Sequence, residues 1–202
     1  MSFIGARMRR SGYNIRFFSY RSTKVTAEDC ARSLAELVRG APPGAPPHLV
    51  GHSLGGLLIL RLLAMSHAPP IGRVVLLGTP MQGSEAARKT LQLPAGAALL
   101  GVAATTLCAG SHGFCGNHQV GMIAGSRAFG LGRVAGFMGK ASDGTVALEE
   151  TYSECLTARI TLPVSHTGML FSSPVAREIR CFVEQGRFSP ELCGTHSKSQ
   201  RG

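Results

Sequence analysis

The sequence predicts an α/β fold, a mostly parallel sheet with helices on both faces. Three observations carry that expectation. Residues 48–65, HLVGHSLGGLLILRLLAM, read as a short apolar strand, a very tight turn and a buried aliphatic helix. Residues 73–77, RVVLL, are a fully apolar run of the kind that a parallel sheet buries on both faces. Around these two stretches, strand-type and helix-type segments alternate along the chain.

Taken in order, residues 2–11 place Phe3, Ile4 and Met8 on one side and arginines on the other, an amphipathic helix ended by Gly12. Residues 13–19, YNIRFFS, are β-branched and aromatic and predict a strand. Thr26 then caps a helix with Glu28 and Asp29 in its first turn and Leu34, Leu37 and Val38 on its inner face. The Pro- and Gly-rich linker 40–47 leads stiffly into the strand before Ser53 and is too short to divide domains. After the strand at 73–77, residues 84–118 are rich in Ala, Gly and Leu. Leu93 to Ala109 approaches membrane-spanning length but contains Pro94, Gly96 and Gly101. One or two cap helices over the site are expected there, either lipid-contacting or simply buried. Residues 119–124 predict a short strand, 125–139 a Gly-rich loop, 159–164 the last strand and 174–182 a final helix. One domain over 1–188 results, with 84–118 as its cap and 189–202 as a disordered polar tail.

With 202 residues, 44% hydrophobic and 16% charged, the composition is that of a globular protein with a sizeable core. The formal charge of +10 comes mostly from arginine, much of it before residue 40. No nucleic-acid module is legible, so nucleic acid is not an expected partner. A solvated basic face is the plain explanation, with contact to an anionic membrane surface next. The six cysteines lack metal-site spacing, which argues against zinc. Cys30 and Cys181 read as small buried hydrophobes. Cys108 and Cys115 flank a Gly-rich loop and could pair with each other in an oxidising compartment, but the expectation is that this disulfide does not form. No signal peptide is visible, which favours the cytoplasm.

The chemistry gathers on few residues. Ser53 stands at the apex of Gly51-His52-Ser53-Leu54-Gly55, where a strained strand-to-helix turn would expose its hydroxyl and tolerate only tiny neighbours, supplied by Gly51 and Gly55. A serine nucleophile needs a base, and the base an acid to fix its tautomer. Asp143 is the only Asp after Ser53, in an Asp-Gly pair that also suits an ordinary turn. Glu149 and Glu150, read as the exposed start of a helix, are the fallback acids. Beyond Asp143 only His166 and His196 remain, and His166 directly follows the last strand. Parallel strands would bring Ser53, Asp143 and His166 to one edge of the sheet. His52, His67, His112 and His118 read as structural or surface residues.

The chain resembles a small α/β-hydrolase-fold serine esterase or lipase. The likeness rests on HLVGHSLGGLLILRLLA, VVLLGTPMQGS, SDGTV and LPVSHTGMLFS. The GTP-x-x-GS segment is similar to the lipase and inositol-deacylase branch, which acts on lipid-like esters. The resemblance implies Ser53 as nucleophile, Asp143 as acid, His166 as base and the backbone N–H of Leu54 as an oxyanion donor. This chemistry needs no cofactor, and no metal motif is visible; the apolar cap suggests a small acyl-chain ester as substrate, with a peripheral membrane or lipid surface as a further candidate partner. The family's second oxyanion donor comes from a His-Gly loop ahead of the first helix, and a central strand precedes that loop. The expectation is therefore an N-terminally truncated form of the fold, with unpaired strand edges and a start placed too late. A truncated non-catalytic relative is the alternative, as is an acyltransferase on the same three residues.

Overall fold

The structure, a computed structural model, describes residues 1–111, 115–128 and 141–190. Its sheet has four parallel strands in chain order: β1 (Leu49–His52), β2 (Val74–Leu77), β3 (Val120–Gly125) and β4 (Ala158–Leu162). Leu49 pairs with Val74, Val74 with Val120, and Met122 with Arg159, so the strands run in step and finish at a common edge. The alternation of side chains then divides the core. In β2, Val74 and Leu76 face one layer while Val75 and Leu77 face the other, and all four are fully buried.

The first layer holds α2 (Ala27–Arg39) and α3 (Leu54–Leu63). Thr26 caps α2 as its sequence predicts, its hydroxyl accepting from the Asp29 N–H. Leu57, Ile59, Leu60, Leu62 and Leu63 of α3 lie in that core with Leu34 and Val38 of α2. The second layer holds α1 (Ser2–Arg10) and the last helix, Ser173–Gln185, packed on each other. Ile4 and Met8 meet Val175, Ile179, Phe182 and Val183 there.

Among the described residues between β2 and β3 lie three short helices, α4 (Glu85–Leu91), α5 (Gly96–Leu100) and α6 (Ala103–Ala109), which makes the Ser173–Gln185 helix α7. One or two helices were expected. The backbone breaks again at Gly101 and Gly110, which end α5 and α6 with positive φ of 53° and 75°. α6 packs on α3.

Residues 13–19 correct a second expectation, because they form no strand. Their β-branched and aromatic composition suits a pleated surface, yet a strand needs a ladder partner. Among the described residues β1 pairs only with β2. A cavity of about 880 Å³ instead runs along the outer edge of β1, between that edge, residues 16–20 and Leu34, Leu37 and Val38 of α2. The expected unpaired edge is thus present.

The expected absence of a Cys108–Cys115 bond holds, but a pairing that the sequence did not suggest is present. Cys115 is bonded to Cys155, tying the approach to β3 to the approach to β4, whereas Cys108 is free as expected. Cys30 is buried and Cys181 only partly so. Ser189 is also held in place: its N–H and hydroxyl both donate to the carboxylate of Glu178, which is wholly buried. The expected tail from residue 191 on, with Cys193 and His196, lies outside the described residues, as do His112 and most of the Gly-rich loop.

Candidate active site

Ser53 follows β1 directly and serves as N-cap of α3. Its backbone, at φ 53° and ψ −123°, has the only positive φ of a non-glycine among the described residues. A left-handed serine is strained by about 1–3 kcal/mol. It persists because both sides of the turn are fixed. The Ser53 N–H donates to the Leu77 carbonyl at 2.9 Å, continuing the β1–β2 ladder, and its own carbonyl accepts from the Gly56 N–H at 3.0 Å. Leu54 opens α3, so its N–H is among the first-turn donors without an acceptor inside the helix.

The crowding around the turn differs in one place from the sequence reading. A Cβ at Gly51 would lie 2.7 Å from the backbone of Gly56 and from Ile59 Cδ1, as expected of a residue pressed by the helix. A Cβ at Gly55 would meet only the Tyr20 hydroxyl, at 3.5 Å. The second obligatory glycine is Gly56, where a Cβ would collide with the side chain of Thr79.

At the same sheet edge, His166 and Asp143 meet. The His166 Nδ1–H donates to Asp143 Oδ2 at 2.7 Å, and the His166 backbone N–H donates to the Asp143 carbonyl at 2.9 Å. The second carboxylate oxygen accepts from the Thr145 and Val146 N–H groups at 2.9 and 2.7 Å. Asp143 therefore occupies an Asp-Gly turn and orients a histidine at once. Its side chain is 1% exposed and that of His166 12%. Donation from Nδ1 leaves Nε2 of His166 as the free acceptor, the tautomer a general base needs.

Glu150, a fallback acid, is not the exposed residue expected. It is buried in a 3₁₀ turn, where its carboxylate accepts from the Glu85 N–H at the start of α4 and from Ala147 N–H. Burial raises its pKa. Its oxygens are committed to the frame, and Asp143 is the carboxylate on His166.

Two groups at this edge escaped the sequence reading. Gly78, at φ +52° after β2, lies beneath the pair: a Cβ there would stand 3.0 Å from Asp143 Oδ2 and 3.1 Å from His166 Nδ1. His52 is the other. Its Nε2–H donates to the His166 carbonyl at 3.0 Å, and the two rings sit 4.5 Å apart between centroids. Burial, reinforced by the nearby His166, pushes its pKa down to about 4, so it is neutral near pH 7. The only available signal was its position next to Ser53, since its target lies far along the chain. Among the described residues no hydrogen bond joins the Ser53 hydroxyl to the His166 ring. Such contacts are often long before substrate binds. The 880 Å³ cavity reaches this region through Gly51, His52 and Gly55, and none of its lining residues comes from α4–α6.

The fold has known counterparts. The lipase BlEst2 of Bacillus licheniformis in its mature form is 22% identical, with a TM-score of 0.75 over 91% of this chain and 83% of that one. A pyrethroid hydrolase of Sphingobium faniae is 16% identical, with a TM-score of 0.58 over 91% of each chain. The metagenomic carboxyl esterase MGS0156 is 17% identical, with a TM-score of 0.58 over 81% of this chain and 58% of that one. At these identities the likeness is one of fold. No curated protein matches the sequence. The model of the alpha/beta hydrolase family matches residues 6–183, and with the parallel sheet and the left-handed serine turn already described, the chain belongs to that family.

Proposed function

We propose that the protein is a serine carboxylic-ester hydrolase, esterase- or lipase-like, that works through an acyl-enzyme. The observation that carries this reading is the Asp143–His166 hydrogen bond at the sheet edge where the strained turn presents Ser53. In this reading the Ser53 hydroxyl attacks the ester carbonyl while Nε2 of His166 takes its proton, and Asp143 stabilises the imidazolium that forms. The Leu54 N–H, at the positive end of α3, donates to the oxyanion. His166 then protonates the leaving alcohol, and water, activated by the same histidine, releases the acid from Ser53. The cavity beside the serine turn, lined by Phe17, Phe18, Leu34, Leu37 and Leu58, favours an acyl-chain substrate over a charged one.

Turnover of nitrophenyl acyl esters by the wild-type chain and Ser53→Ala tests the proposal. The variant should lose about 10⁴-fold or more, and equal turnover by both would refute the assignment. A second reading, a non-catalytic member of the family, is favoured by the open edge of β1 and its cavity beside the serine turn. Labelling by a serine-directed fluorophosphonate separates the two, since only a working site reacts at Ser53. An acyltransferase would instead show ester exchange when a competing alcohol is added.

A further inference from the structure

Half of the large hydrophobic side chains left exposed among the described residues fall in one short stretch: Leu91, Leu93, Leu99 and Val102. They occupy the end of α4, α5 and the entry to α6. Leu93 is 61% exposed and Leu99 69%, and Pro94, Ala95, Ala97 and Ala98 beside them are exposed too. From Thr90 to Ser126 the sequence holds no Asp, Glu, Lys or Arg. Local packing keeps these leucines outside. Gly96 lies against the last turn of α4, where a Cβ would collide with the Thr90 carbonyl, so α5 folds back with its small residue inward. The ester chemistry proposed above uses none of these side chains. A contiguous exposed apolar patch of this kind marks an interaction surface.

The surroundings say which kind. Arg21 and Lys24, both exposed, flank Thr23, whose carbonyl accepts the Val102 N–H at 3.4 Å and packs against Gly101. Arg88 and Lys89 lie in the last turn of α4, just before Leu91, but Arg88 donates to the Cys108 carbonyl at 2.9 Å, which leaves Arg21 and Lys24 as the cations facing outward. The nearby carboxylates are already engaged with cations: Glu85 with Lys89 at 2.8 Å, Glu28 with Arg61 at 2.9 Å, and Asp29 with Arg32. An apolar stretch with exposed cations close by offers a protein partner almost no directional contact, since Gln92 is the one side chain with hydrogen-bonding capacity between Leu91 and Val102. It matches a bilayer whose acyl region takes leucines and whose headgroups carry negative charge. No described helix is long and apolar enough to cross a membrane, so the contact is interfacial.

We infer that the α4–α6 tip is a docking surface for anionic lipid bilayers, with Leu93 and Leu99 inserting and Arg21 and Lys24 meeting the headgroups. This goes beyond the ester-hydrolase reading and does not depend on it. The experiment is flotation of the full chain with vesicles of phosphatidylcholine alone or with roughly a quarter phosphatidylglycerol. The wild type should bind the anionic vesicles about tenfold more tightly than neutral ones, and lose that advantage in about 0.5 M salt. Leu93→Asp/Leu99→Asp should weaken binding by about tenfold or more, and Arg21→Glu/Lys24→Glu should reduce it to the neutral-vesicle level. Unchanged melting temperatures show that the variants remain folded. Ser53→Ala should float like the wild type, which keeps this result separate from the fate of the ester-hydrolase proposal. Failure of the wild type to float with anionic vesicles overturns the inference, as does wild-type binding by Leu93→Asp/Leu99→Asp. Equal binding to both vesicles overturns the role of the cations. A dimer that these aspartates dissolve, with no flotation, assigns the patch to a second copy of the chain instead.

Discussion

Replacing His52 with glutamine removes a titrating ring yet keeps an N–H donor for the His166 carbonyl. In the folded chain the His52 pKa is lowered to about 4, first by burial and then by the neighbouring His166. In the unfolded chain it returns to about 6.5. Between these values the unfolded state binds a proton that the folded state refuses, so stability is lost as pH falls from 6.5 towards 4. The difference of about 2.5 units, at about 1.36 kcal/mol each, gives a loss of about 3 kcal/mol. Glu150 works in the opposite sense, because burial raises its pKa and its protonation favours the folded state as pH falls. It is unchanged by the substitution and cancels in the comparison. Urea unfolding of wild type and His52→Gln at pH 7 and pH 4 measures the effect. The wild type should lose about 3 kcal/mol more than the variant over that interval. Equal losses would show that the buried ring is not what the acid attacks. The same pair carries a kinetic readout. His52→Gln should retain kcat/KM near pH 7, whereas His52→Phe, which cannot donate to the His166 carbonyl, should lower kcat with little change in KM.

Three further outcomes follow from the site. Asp143→Asn should reduce kcat by about 10⁴-fold, the loss met when the acid of a serine-protease triad is amidated and its histidine held in the wrong tautomer; a loss confined to KM would remove Asp143 from this role. Gly78→Ala places a Cβ 3.0 Å from Asp143 Oδ2 on a residue at φ +52°, so both stability, by about 1–2 kcal/mol, and kcat, by roughly tenfold, should fall. Normal kcat in a merely destabilised protein would make Gly78 a turn residue and nothing more. Reduction of Cys115–Cys155, which spans 40 residues, should lower stability by about 4 kcal/mol on the loop-entropy account. Thermal unfolding with and without a reductant, using Cys155→Ser as the reduced reference, checks this, and unchanged melting would contradict it.

The elements whose cause is local were legible. RVVLL reads as a strand buried on both faces, which it is over Val74–Leu77, and Thr26 with Asp29 three residues on reads as a helix start. The scarcity of acids narrowed the partner of His166, because one aspartate follows Ser53. Residues 13–19 had the right composition and still formed no strand, since pairing depends on what lies beside a segment in space. The Cys115–Cys155 bond was illegible for a related reason: spacing leaves connectivity open. Glu150 resembled a solvated helix start until the β2 loop and α4 were seen to close over it, with the Gln82 and Glu85 N–H groups turned toward it.

The glycines show where local reading stops and the site begins. Gly55 and Gly56 are adjacent and chemically the same, yet a helix rotates successive residues by about 100°, and only the second turns toward Thr79 at the end of β2. Gly78 and Gly125 end β2 and β3 as unremarked turn residues in the sequence. In space both lie against Asp143, where a Cβ at Gly125 would approach Asp143 Cβ to 2.7 Å. Two neighbouring strands thus end in residues without side chains at the place where a carboxylate from a later loop must reach a histidine after β4. That vacancy has no use in either strand by itself. It acquires one when Asp143 and His166 arrive, which is why the need for small residues there is a property of the assembled sheet edge and of the hydrogen bond it encloses.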